Sequence, residues 1–144
     1  LPMPDATERV TGTVPFLINK TLPDMLHGKV LRSPLPHAKI IRIDTRAAEA
    51  YPGVVAVLSR NDFEDSCPLD PFYGSLLKDH QLLAIDKVRY VGEPVAAIAA
   101  EDPDIAEAAL ELIEVDYEEL PAVFDEQEAV GEAAPLVHEG QVKR

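Results

Sequence analysis

Apolar and polar positions change their period several times along this chain, and each change marks an element. Met25 to Arg32 and Ala38 to Ile43 are rich in aliphatic residues and read as two strands. Between them the run SPLPH, Ser33 to His37, carries two prolines and forces a turn. Thr45 stands where its hydroxyl would cap a short helix through Ala50, and Pro52-Gly53 ends that helix. Gly53 to Leu58 then reads as a buried strand. Upstream, Val10 to Ile18 has β-branched and aromatic residues broken by Gly12 and Pro15, which predicts an irregular or edge strand following a loose segment, residues 1–8.

Ser59 to Asp86 loses this regularity, because Asp62, Asp65, Asp70, Asp79, Pro68, Pro71 and Gly74 interrupt the apolar residues. It reads as a long loop with a turn of helix at its start, and loops of this length are commonly functional. Order returns at KVRYVGEPVAAIAAEDPDIAEAALELIEVDYEELP, residues 87–121. Gly92-Glu93-Pro94 offers one glycine and a proline without an N–H, which suits a stiff bend better than a phosphate-cradling loop. Asp102 before Pro103 is an N-cap followed by a proline at the first helical position. Ile105, Ala109, Leu112 and Ile113 then form one apolar stripe, with Asp104, Glu107, Glu111 and Glu114 opposite. Val115, Tyr117 and Leu120 alternate with acids as a following strand. The predicted architecture is a single α/β domain over residues 9–130, built of two strand-helix-strand units with a long connecting loop. Residues 131–144 read as a C-terminal linker.

Composition bounds this picture. A chain of 144 residues with 47% hydrophobic content buries roughly 68 to 70% of the surface its unfolded form exposes, enough for one core. No apolar run nears the roughly 18 residues of a membrane span, so the chain reads as soluble. Cys67 is the only cysteine, which rules out an internal disulfide or a Cys-rich cluster and fits a reducing, cytoplasmic setting. With nothing basic beside it, Cys67 reads as a bystander. A net charge of -13 argues against nucleic acid as a partner. The distribution is uneven: Glu101 to Glu128 holds 12 acids and no Lys or Arg, while Met25 to Ala48 holds Lys29, Arg32, Lys39, Arg42 and Arg46 against Asp44 alone. Two readings follow: the segments are solvated faces that attract each other in the fold, or the basic one meets an acidic neighbour.

Chemistry-bearing patterns are scarce. There is no Gly-x-Ser-x-Gly, Gly-x-Gly-x-x-Gly or His-Glu-x-x-His, and the acids of the Asp102 helix point along a solvated face rather than into a cavity. His27, His37, His80 and His138 show no short ligand spacing and read as structural histidines. Arg32 has the guanidinium to clamp a carboxylate, although an arginine at a strand end more often pairs with its own domain.

Four stretches, in order, carry a family resemblance: RVTGTVPF (9–16), MLHGKVLRSPLPHAKIIRIDTRAAEAYPGVVAVLSRNDF (25–63), DKVRYVGEPVAAIAAEDPDIAEAALELIEVDYEELPAVFDEQEA (86–129) and PLVHEG (135–140). Together they resemble the α/β hammerhead domain that opens the molybdenum-binding large subunit of the xanthine dehydrogenase, aldehyde oxidase and carbon monoxide dehydrogenase family. Where that family usually has Pro-Gly-Met-Leu, this chain has Pro23-Asp24-Met25-Leu26, and Asn19-Lys20 stands where an acidic residue is common. The resemblance implies a non-catalytic domain of a molybdenum hydroxylase, an oxidoreductase that inserts a water-derived oxygen at a carbon centre. Its molybdopterin would be held by downstream domains of the same subunit, with iron-sulfur clusters and FAD in partner domains or subunits. The family's pterin motifs and active-site glutamate lie beyond this region, so the resemblance places no catalytic, cofactor-binding or metal-ligating residue in this chain. It implies instead that the sheet flank and the Ser33 to His37 turn face those downstream domains, and that the isolated chain is colourless and inert. The competing expectation is a free-standing module that binds a small ligand or protein through the Glu64 to Asp86 loop.

Overall fold

The computed structural model describes residues 3–63, 70–74 and 80–138. Three strands form one antiparallel sheet in the order β1 (His27–Arg32), β7 (Pro94–Ala100), β3 (Val54–Leu58). Three more form a second antiparallel sheet in the order β6 (Lys87–Val88), β2 (Ala38–Asp44), β8 (Glu114–Glu119). A two-residue ladder, β4 (Phe72–Tyr73) with β5 (His80–Gln81), stands apart.

The two strand-helix-strand units are present, but neither closes on its own sheet. β2 leads through α2 (Arg46–Glu49) to β3 in the other sheet, and β7 leads through α3 (Pro103–Leu110) to β8 in the opposite direction. Each unit therefore pairs with the other, Val57 of β3 opposite Ile98 of β7 in one sheet and Ala38 of β2 opposite Glu119 of β8 in the other. A single buried cluster takes Ala38, Ile40 and Ile43 from β2, Ala96, Ile98 and Ala100 from β7, Ala48 from α2, and Ala106 and Ala109 from α3. The many alanines let α3 approach the sheet closely, where it packs on β1, β7 and β3.

Gly53 shows how tight that approach is. Its φ is 87°, and a Cβ built there would lie 2.7 Å from Cδ1 of Ile105 on α3. Only glycine satisfies both the backbone and the space.

The predicted caps fare differently. Asp102 accepts from the Asp104 N–H at 2.8 Å, ahead of Pro103, as the sequence indicates. Thr45 makes no capping bond; its hydroxyl donates to Glu49 at 2.5 Å, and Asp44 takes the Arg46 N–H instead. Leu112 is also misplaced by periodicity, for α3 ends at Leu110 and tighter bonds from Leu112 and Ile113 to Ala109 and Leu110 rotate the chain. Leu112 is thereby 37% exposed, whereas Ala106, Ala109 and Ile113 are buried.

Three further expectations change. Val10 to Ile18 is not a strand: a helix, α1 (Ala6–Thr11), ends at Gly12 in left-handed backbone and a 3-10 turn follows at Leu17–Asn19. Among the described residues no strand pairs with this segment, and without a ladder β-propensity alone does not make a strand. β3 is an edge strand and only half buried, since Val55, Ala56 and Leu58 are exposed. The long loop contains a 3-10 turn at Arg60–Phe63 and the β4–β5 ladder, and it buries Leu83 and Ala84 before β6 begins. Cys67 and much of the stretch assigned to ligand binding, residues 64–69 and 75–79, lie outside the described residues.

Candidate functional site

The outer faces of the two sheets differ in kind. On the β6–β2–β8 sheet charged side chains pair across the strands beside one exposed apolar residue, Ile41: Lys39 with Glu118 at 3.7 Å, and Arg42 with Asp116 at 2.9 Å and Glu114 at 3.4 Å. Asp44 receives both Arg42, at 3.0 Å, and Arg46, at 2.5 Å. The Arg46 side chain and backbone hydrogen bonds, aided by the Arg42 charge, hold the Asp44 carboxyl well below the usual carboxylate range. Lys29 of β1 reaches Glu107 of α3 at 3.0 Å. Lys29, Lys39 and Arg42 of the basic segment thus attract Glu107, Glu118, Glu114 and Asp116 of the acidic one within the domain, in line with the first of the two readings of the charge pattern.

Among the described residues, the outer face of the β1–β7–β3 sheet stays open to solvent. With α3 covering one face, the register puts Gly28 and Val30 of β1, Ala97 and Ala99 of β7, and Ala56 and Leu58 of β3 on the other. None of these residues carries a polar side chain, and Val30 and Leu58 are 40% and 37% exposed.

The Ser33 to His37 turn is less open than expected. Ser33 and His37 are buried, and Ser33 exchanges backbone bonds with the Gly-Glu-Pro turn: its N–H donates to Glu93 O at 2.9 Å and its carbonyl accepts from the Gly92 N–H at 2.8 Å. Arg32, read as a potential carboxylate clamp, donates instead to Gly92 O at 2.8 Å. Glu93 is a residue the sequence reading missed. Only 4% exposed, it accepts from the Arg89 backbone N–H and pairs with the Arg89 guanidinium at 3.6 Å. Its signal was the Arg89–Glu93 spacing of four within the turn. The bend is thus structural and internally charged. Arg60 was missed too; it donates to the carbonyls of Ile40 and Ile41 at 2.6 and 2.9 Å, where β2 bulges.

Beside these turns lies a groove of about 360 Å³, lined among others by Pro36, His37, Arg89, Tyr90, Val91 and Phe124. Burial and the nearby Glu93 carboxylate push the Tyr90 phenol above its ordinary 10.0, so it stays neutral. The histidines do not converge: His37 bonds Pro121 O through Nδ1 at 2.7 Å, and His80 stacks on Tyr73 at 5.5 Å. Among the described residues no three of His, Cys, Asp or Glu are gathered as a metal site, and no helix is long and apolar enough to cross a membrane.

The family model described as aldehyde oxidase and xanthine dehydrogenase, a/b hammerhead domain, matches residues 11–121. The chain is 43% identical over 94% of its length to a probable xanthine dehydrogenase subunit of Bacillus subtilis, and spans 18% of that protein. It is 39% identical over 93% of its length to the nicotinate dehydrogenase large molybdopterin subunit of Eubacterium barkeri, and spans 31% of it. Among solved structures, the reconstituted CO dehydrogenase from Oligotropha carboxidovorans superposes with a TM-score of 0.84 at 38% identity, covering 92% of this chain and 16% of that one. By sequence match and by fold, this chain belongs to the α/β hammerhead domain family of aldehyde oxidases and xanthine dehydrogenases.

Proposed function

We propose that this chain is the architectural hammerhead domain of a molybdenum hydroxylase large subunit, and that it packs against the molybdopterin-binding part of that subunit through the open face of the β1–β7–β3 sheet. The observation that carries this reading is the contrast between the two outer faces, one crossed by ion pairs and the other lined by Gly28, Val30, Ala97, Ala99, Ala56 and Leu58. Exposed ion pairs across β2 and β8 contribute little and need no partner. An apolar face exposed to water, by contrast, gains roughly 25 cal/mol for each Å² that a neighbouring domain covers.

The relatives support the wider setting, for the chain spans only 18% and 31% of two of them and one is by name a large molybdopterin subunit. In this reading residues 1–8 lead into the domain and residues 131–144 lead out of it toward the pterin-binding domains. The parent works in the cytoplasm, with iron-sulfur and FAD subunits as further partners.

The test is made in the full-length large subunit carrying Val30→Glu with Leu58→Glu. Both side chains are already exposed, so the isolated domain should keep its fold within about 0.5 kcal/mol per substitution. In the full-length chain, the connections that flank the folded hammerhead domain should become accessible to protease and lose their amide protection. Unchanged protection with this face charged would refute the assignment.

A further inference from the structure

Resting on that reading, we infer that the segment ahead of β1, residues 3–26, is an anchoring arm that lies on the molybdopterin-binding part of the same large subunit and carries the docking surface beyond the sheet. The arm is shaped, yet no polar contact ties it to its own domain. Among the described residues every hydrogen bond it makes closes within it, Thr13 N–H to Glu8 O at 2.9 Å and Met25 N–H to Leu22 O at 3.2 Å included, and its ion pair joins Arg9 to Asp5 at 2.7 Å. Its helix, α1, buries no side chain. Six residues are far fewer than the roughly 12 to 15 below which an isolated helix is marginal in water, so this helix needs support from outside itself. The side chains free to receive that support are apolar: Val10 is 88% exposed, Leu17 81% and Leu22 72%, with Met3 and Phe16 also exposed.

Three observations identify what the arm lies on. The first is continuity with the open sheet face. The alternation of burial in β1 begins before the strand does: Leu26, Gly28 and Val30 are exposed, while Met25, His27 and Lys29 between them are partly covered. The exposed row that ends on the sheet face at Val30 thus starts in the arm, and a neighbour covering Gly28 and Val30 meets Leu26 next. The second is the reach of the structural match. A crystal structure of a Cu,Mo-CO dehydrogenase superposes on 97% of this chain with a TM-score of 0.88 at 37% identity, which leaves out too few residues for the arm to be among them. This chain spans 18% of that one, so the matched arm belongs there to a far longer polypeptide able to cover it. The third is charge. Arg9 and Lys20 are the arm's only basic residues, against Asp5, Glu8 and Asp24, so it lacks the cationic face with which an amphipathic segment settles on a lipid surface. An apolar protein surface is the partner it suits.

Photo-crosslinking in the full-length large subunit tests the arm, with the probe residue at Leu17 in one sample and at Leu58 on the sheet face in another. Mass spectrometry should map the Leu17 crosslink to a segment of the same polypeptide outside residues 1–144. Val10→Glu with Leu22→Glu should abolish that crosslink and leave the one from Leu58, and because both positions are largely exposed the domain keeps its fold. A Leu17 crosslink that persists in the double variant overturns the inference, since the arm is then not held by its apolar side chains. A Leu17 crosslink to a different subunit, or only to residues within 1–144, overturns it as well. Silence at Leu17 beside a crosslink from Leu58 overturns the arm and leaves the sheet face standing; silence at both sites overturns the two together.

Discussion

Gly53 and Gly92 both hold left-handed backbone, at φ 87° and 91°, yet a methyl group should affect them differently. At Gly92 the added Cβ meets nothing within 4 Å, so Gly92→Ala should cost only the conformational penalty of about 1–2 kcal/mol. At Gly53 it collides with Ile105 as well, so Gly53→Ala should cost about 2–5 kcal/mol, penalty and overpacking together. Urea midpoints compare the two directly, and equal shifts would show that α3 yields at this contact. Asp24 adds a third case: it is the one non-glycine at positive φ, 59°, among the described residues, at the place where the resembled family carries glycine. Asp is among the few residues that tolerate this conformation, which explains why the departure leaves the fold intact. Asp44 gives the residue scale its pH dependence. Because its folded pKa is depressed below the ordinary 3.8, its contribution is present above that value and disappears as pH falls through the depressed one. Wild type should therefore exceed Asp44→Asn in stability by a constant margin near neutral pH, and the margin should shrink steadily below 3.8. A margin unchanged down to acid unfolding would mean the Arg46 and Arg42 pairs carry no net stability.

At the scale of elements, α3 separates what periodicity can and cannot tell. Its start was legible because the signal is local: Asp102, Pro103 and the Asp104 N–H lie within three positions. Its end was not, because the stop at Leu110 is decided by where the chain must turn to enter β8, and no residue there announces it. The consequence is measurable. Ile113→Ala, at 8% exposure, should cost about 2–5 kcal/mol, whereas Leu112→Ala, at 37%, should cost less than about 1.5 and Glu111→Ala within about 0.5. Denaturant titration of the three variants settles the order, and a larger cost for Leu112 than for Ile113 would restore the uninterrupted helical stripe. The same distinction explains the other successes and failures. β1, β2, β7 and β8 could be read from their local composition and alternation. The groove could not, since His37 meets Pro121, and Ser33 meets Glu93, only after distant strands have paired. At the N-terminus, VTGTVPF has strand composition but no partner strand among the described residues, and it became helix and turn instead.

The whole molecule is governed by the exchange between its two units. Because β2–α2–β3 and β7–α3–β8 each contribute one strand to both sheets, the loss of either unit takes a strand from both, and the buried cluster that joins them has no boundary along which to divide. The domain should therefore unfold in one transition, with tyrosine fluorescence and far-ultraviolet dichroism superimposable in urea. It should also fold slowly for its size. Its central pairings join His27 to Ala100 and Ala38 to Glu119, so large loops must close before either sheet is rewarded with contacts. Refolding times of milliseconds to seconds are expected, in the range of domains dominated by non-local pairing. Gly53→Ala beneath α3 and Ile43→Ala within the β6–β2–β8 sheet should each keep the two optical signals at one shared midpoint, although they injure opposite sheets. If either variant instead splits the curve, so that one probe moves ahead of the other, the sheets are separable units and the exchange of strands between them does not bind the domain together.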